Sequence, residues 1–159
     1  MLLLPLNLML PMNLSDLSGV DVVGVVTVLV TQSAQLFHWE GYGLKLLIPP
    51  QALPHPINSC TITIKTSFSG QYQFPTDTEL VSPVFWLMCE PKCKFKVPLS
   101  LHIQHCAPPE NSHRLFMARA LCTQKELPYL FRKLHGSIFS KHSSYGAVSY
   151  THLTLPTKA

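Results

Sequence analysis

The chain has 159 residues, 47% of them hydrophobic and only 13% charged, with a formal net charge of +4. That length suits one domain with residues to spare at its ends, and the mild charge, with no lysines and arginines clustered among aromatics, leaves no nucleic-acid footprint. Fourteen prolines against seven glycines argue against long helices, because proline removes a helical hydrogen bond and clashes with the preceding turn.

Residues 1–35 read as a poorly defined leader with room for an extra strand. Met1-Leu2-Leu3-Leu4-Pro5-Leu6 resembles a signal peptide, but it lacks a positive start, prolines at 5 and 11 interrupt it, and no small-residue cleavage site follows. Val20 to Val30 is about half the length of a membrane-spanning helix. It is dominated by valine, so it reads as one or two strands. A cytoplasmic location is expected.

The domain itself is expected over residues 36–147. Glu40-Gly41-Tyr42-Gly43 is a turn signal with apolar residues on both sides, as in a hairpin, and Pro49-Pro50 stops the second arm. From Cys60 to Lys65 the residues alternate, with Cys60, Ile62 and Ile64 on one face and Thr61, Thr63 and Lys65 on the other. Leu80 to Met88 is apolar on both faces, which suits the middle of a packed sheet, and Pro83 marks a bulge or a beginning. Val97 to Cys106 alternates again, with Leu99, Leu101 and Ile103 inward. Leu115–Cys122 and Tyr129–Leu134 are further strand candidates, the first also compatible with a short helix. Short strands separated by turns, with no long helix, predict an all-β fold: a β-sandwich or partly open barrel of antiparallel strands.

Cysteines occur at 60, 89, 93, 106 and 122. An odd number without repeated spacing fits reduced, buried thiols better than a disulfide framework. A zinc site would have to draw on Cys89, Cys93, His102, His105 and Cys106. Zinc needs about four ligands converging on a tetrahedron, and His102 and His105 are three apart on an expected strand, so they point to opposite faces. Cys89 and Cys106 then belong to the core, and no metal or cofactor is expected. His105 and Cys106 are adjacent and diverge, and no nucleophile elbow or phosphate-binding loop is present. Asp77 and Glu79 fall in a turn. The Lys92-Cys93-Lys94-Phe95-Lys96 run reads as a solvated edge. Among the aromatics, Phe85 and Trp86 suit the core, while Trp39 is the best candidate for partial exposure.

Three segments resemble the ZU-five domain shared by zonula occludens proteins, Unc-five-type netrin receptors and ankyrins. They are Gly43-Leu44-Lys45-Leu46-Leu47-Ile48-Pro49-Pro50-Gln51-Ala52-Leu53, Leu80-Val81-Ser82-Pro83-Val84, and Phe95 to Leu99 continuing through Ile103-Gln104-His105-Cys106-Ala107. Gln51 stands where the family usually has glycine. The resemblance implies a non-enzymatic, intracellular scaffold that packs against an adjacent domain or a cytoskeletal or signalling protein, with no nucleic acid, small-molecule substrate or membrane as partner. Some members of that family cut their own backbone at a His-x-Ser sequence. His142-Ser143-Ser144 has that minimal form, so a self-cleaving regulatory domain, with His142 and Ser144 as the acting pair, is the alternative.

Residues 148–159 are expected to be a non-native tail. Val148 to Thr157 matches an in-frame translation of a sequencing-library adapter, which would leave the domain short of its closing strand and with an unpaired sheet edge.

Overall fold

The computed structural model describes residues 19–120 and 127–152, the last four by their backbone. Two antiparallel sheets face each other. The first has the order β1-β4-β6, built from β1 (Val20–Thr31), β4 (Ser59–Gly70) and β6 (Val84–Glu90). The second has the order β11-β7-β3-β2, from β2 (Gln35–Trp39), β3 (Leu44–Ile48), β7 (Lys94–Gln104) and β11 (Tyr145–His152). Four two-residue strands complete the set: β5 (Tyr72–Gln73) pairs with β9 (Tyr129–Leu130), and β8 (Ala118–Arg119) with β10 (Arg132–Lys133). The fold is all-β, as the alternating residues predict, and it takes the sandwich form rather than a closed barrel.

The period of two decides what lies between the sheets. Cys60, Ile62 and Ile64 of β4 and Phe85, Leu87 and Cys89 of β6 point toward Leu44, Leu46 and Ile48 of β3 and Leu99, Leu101 and Ile103 of β7, and all are buried in one cluster. Each fully buried aliphatic of this kind contributes about 1.5–3 kcal/mol over its exposed state. The β2–β3 hairpin turns through a single 3-10 turn, Glu40–Tyr42, and Gly43 closes it at φ 65°, a left-handed conformation that suits glycine.

Val20–Thr31, expected as one or two strands, is one, and it pairs with β4 along its length with register shifts around Val22. Other elements differ from expectation. The Leu80–Met88 strand starts only at Val84, after Pro83, and runs to Glu90. The Tyr129–Leu134 strand is broken in two because it changes partner. Phe131 N–H donates to the Gln73 carbonyl, whereas Leu134 N–H donates to that of Met117. From the Leu115–Cys122 candidate, only Ala118–Arg119 is strand within the described residues, and Cys122 lies outside them. Strand β11 crosses residue 147, covers the free side of β7, and buries Val148 in the core.

Lys65 is a correction. Its alternation places it outward, yet it is 2% exposed. The outer face of the first sheet is itself covered at one end, where Val84 and Trp86 pack with Ala118, Ala120, Tyr129 and Phe131 in a second cluster. Lys65 is paired in register with Trp86, and Ser67 with Val84, so both fall beneath that layer.

Candidate functional site

The most concentrated chemistry lies where the chain crosses from one sheet to the other. Cys60 begins the inward face of β4, Cys89 ends that of β6, and Cys93 sits in the short Pro91–Cys93 link into β7. All three are buried, and their sulfurs lie within 4.8 Å of one another. The Cys89 thiol also donates to the Pro91 carbonyl at 3.4 Å. The three thiols share protons unequally. Hydrogen bonds from Cys60 and Cys89 hold Cys93 down at about 4. Cys60 is helped downward by Cys89, but the Cys93 hydrogen bond, burial and the Cys93 charge outweigh that and push it up to about 12. Cys89 is raised by its hydrogen bonds to both neighbours and by burial. Such a trio could hold a thiophilic metal, because thiolates are the soft ligands.

The sequence had grouped the cysteines differently. His102, His105 and Cys106 do not join the trio. His102 lies on the outer face of β7, where its Nε2 meets the Ser100 hydroxyl at 3.0 Å. His105 is buried beyond the end of β7, near the Phe139 ring. Cys106 is exposed and not part of the core. Cys60 is the member that sequence reasoning missed. Its signal was present, since the alternation of β4 already faced it inward beside Ile62 and Ile64.

The His142–Ser144 segment is an exposed turn. His142 N–H donates to the Ser140 hydroxyl, and Tyr145 N–H to the Ser143 hydroxyl, each at 3.1 Å. The Ser144 carbonyl accepts from His105 N–H at 2.8 Å, and its hydroxyl accepts from the Gln104 amide at 3.5 Å. The geometry is that of serines satisfying a local turn.

Lys92, Lys94 and Lys96 are exposed, while the intervening Cys93 and Phe95 are buried, so the basic run is the solvent side of a strand entry. Asp77 and Glu79 border a cleft of about 610 Å³ with Cys106, Asn111, Arg114 and Phe116. Phe85 and Trp86 are fully buried, Trp86 in the second cluster, and Trp39 is half-buried and stacks on Phe37 at 5.9 Å. On the outer side of edge strand β1, Val23, Val25 and Leu29 are exposed at 51%, 49% and 58%. Among the described residues, no helix is long and apolar enough to cross a membrane.

The chain is thus a two-sheet, all-β domain. The ZU5 domain family matches residues 26–120, and the chain belongs to that family of protein-interaction domains. No curated protein and no solved structure matches the chain significantly.

Proposed function

We propose that this chain is a non-enzymatic scaffold domain of the cytoplasm, which packs against an adjacent domain of its full-length protein or against a cytoskeletal or signalling partner. The family match over residues 26–120 carries this reading. Two further features support it. The four described cysteines are all free thiols, which accords with a reducing compartment. The row of exposed apolar side chains on β1 lies on an edge strand, a place where another protein can pack or add a strand.

A photo-crosslinking residue at Leu29 of the full-length protein in cells tests the proposal. The expected result is a discrete adduct with a protein or with a neighbouring domain, lost on Val25→Glu and absent when the crosslinker replaces Gln73. A crosslinker at 29 that gives no adduct beyond the position-73 control would remove β1 as the packing face. Adducts formed only with secretory-pathway proteins would overturn the cytoplasmic assignment.

A further inference from the structure

We propose that Cys60, Cys89 and Cys93 form a binding site for a single Cu(I) ion, held by three sulfurs in a trigonal arrangement.

The geometry comes first. A metal–sulfur bond of about 2.3 Å sets three sulfurs around one ion about 4 Å apart. The three sulfurs already lie within 4.8 Å of one another, so ligation requires a contraction of less than about 1 Å. They come from three separate places: an inward strand position, the end of a second strand, and the link between sheets. Cys89 is held by its pairing with Ile62 in the β4–β6 ladder, and Cys60 by its pairing with Val30 in the β1–β4 ladder. Cys93 lies in neither ladder.

The donor set then selects the metal. Three thiolates with no nitrogen or oxygen donor are soft ligands, which favour Cu(I), Zn(II) and iron–sulfur chemistry among biological metals. Zinc takes four ligands in a structural site. Among the described residues, no histidine, carboxylate or fourth cysteine joins the trio. Three-coordination is ordinary for monovalent copper, so the count favours it. The trio also belongs to the principal apolar cluster, where exclusion of water protects the reduced ion.

Binding involves no electron transfer. Each cysteine sulfur that is still protonated gives its proton to solvent, three Cu–S bonds form as those to a delivering low-molecular-weight thiol break and that thiol leaves, and copper enters and remains as Cu(I). The product is a net dianion, an unfavourable charge for a core. Lys92 and Lys94, exposed on either side of Cys93, provide positive charge at the one side of the site that approaches solvent. Cys93 itself, at 7% exposed against 2% for Cys60 and 3% for Cys89, marks the entry side.

The test uses the whole chain, reduced and anaerobic, titrated with Cu(I) against a Cu(I)-specific chelator. The expected result is one retained equivalent, with X-ray absorption reporting three sulfur neighbours at about 2.3 Å. Cys93→Ser and Cys60→Ser each weaken retention by more than the roughly 10–100-fold of a lost outer-sphere partner, whereas Cys106→Ser and Cys122→Ser leave it unchanged. Quantitative loss of copper to the chelator from the unaltered chain overturns the proposal without reliance on any variant. So does a spectrum with nitrogen or oxygen neighbours, or retention that depends on Cys106 or Cys122. Displacement of Cu(I) by equimolar Zn(II) overturns the choice of metal.

Discussion

The phenol of Tyr42 lies against the backbone of Gly24, at a point where any Cβ would overlap its Oη, Cζ and Cε1. Tyr42 ends the turn between β2 and β3 of one sheet, and Gly24 sits beside the register shift in β1 of the other. The contact therefore joins the two sheets at an edge, and glycine is what lets the ring come so close. Gly24→Ala is expected to cost about 1–3 kcal/mol, the usual range for an overpacked contact. Tyr42→Ala should recover most of that loss in a double-mutant cycle followed by urea unfolding. Additive losses would show that the two residues act separately.

Gln51 has φ 56°, inside the left-handed region, and its N–H donates to the Gln32 carbonyl at 2.7 Å. A non-glycine residue there carries about 1–2 kcal/mol of steric cost, while glycine adds roughly 0.5–1 kcal/mol of unfolded-state entropy. Gln51→Gly, which restores the residue usual in the family, is expected to stabilise by up to about 1 kcal/mol. Gln51→Val should destabilise. Midpoints of chemical unfolding at unchanged m-value decide both.

Much of the sandwich could be read from the chain because its determinants are local. The alternation of Cys60, Ile62 and Ile64, and of Leu99, Leu101 and Ile103, follows from the two-residue period and needs no partner to be seen. Partner choice is not local. Nothing near Tyr129 announces that the segment leaves β5 for β8 after Phe131. Nothing near Lys65 announces a second apolar layer above it, since Ala118, Ala120, Tyr129 and Phe131 of that layer arrive from residues more than fifty positions later. The cysteine trio fell between these cases. Two of its members face inward by strand period alone, but their convergence depends on the β4–β6 register and on the brevity of the link that returns Cys93.

His102 is held below its ordinary value of 6.5 by burial and by the charge of Lys45, and His105 is lowered by burial. Both are neutral in the folded chain and take up protons more readily when it unfolds. Their contribution to stability is complete above the unfolded value and is lost as pH falls through the lowered folded ones. Melting temperature is therefore expected to fall from neutral pH toward about pH 5, and His102→Gln should flatten that slope. Lys45→Gln should raise the His102 midpoint in an NMR titration. A midpoint unmoved by that change would remove the charge as a cause.

The turn around Ser144 bears on self-cleavage. With Ser140 and Ser143 hydroxyls committed to backbone N–H groups, and no left-handed non-glycine residue between 140 and 145, the 143–144 peptide carries no sign of the strain that an acyl shift uses. The chain is expected to run as one band on a denaturing gel, unchanged by Ser144→Ala or His142→Ala. Two fragments that disappear with Ser144→Ala would establish the self-cleaving alternative.

Strand β4 is shared property. Its inward residues Ile62 and Ile64 belong to the main cluster, while Lys65 and Ser67 lie under the aromatic layer of Trp86, Tyr129 and Phe131. A wall common to two interiors leaves neither able to melt while the other stays native. A disturbance of the aromatic layer, such as loss of the Trp86–Tyr129 edge contact at 4.9 Å, thus reaches the opposite sheet through the thickness of a single strand.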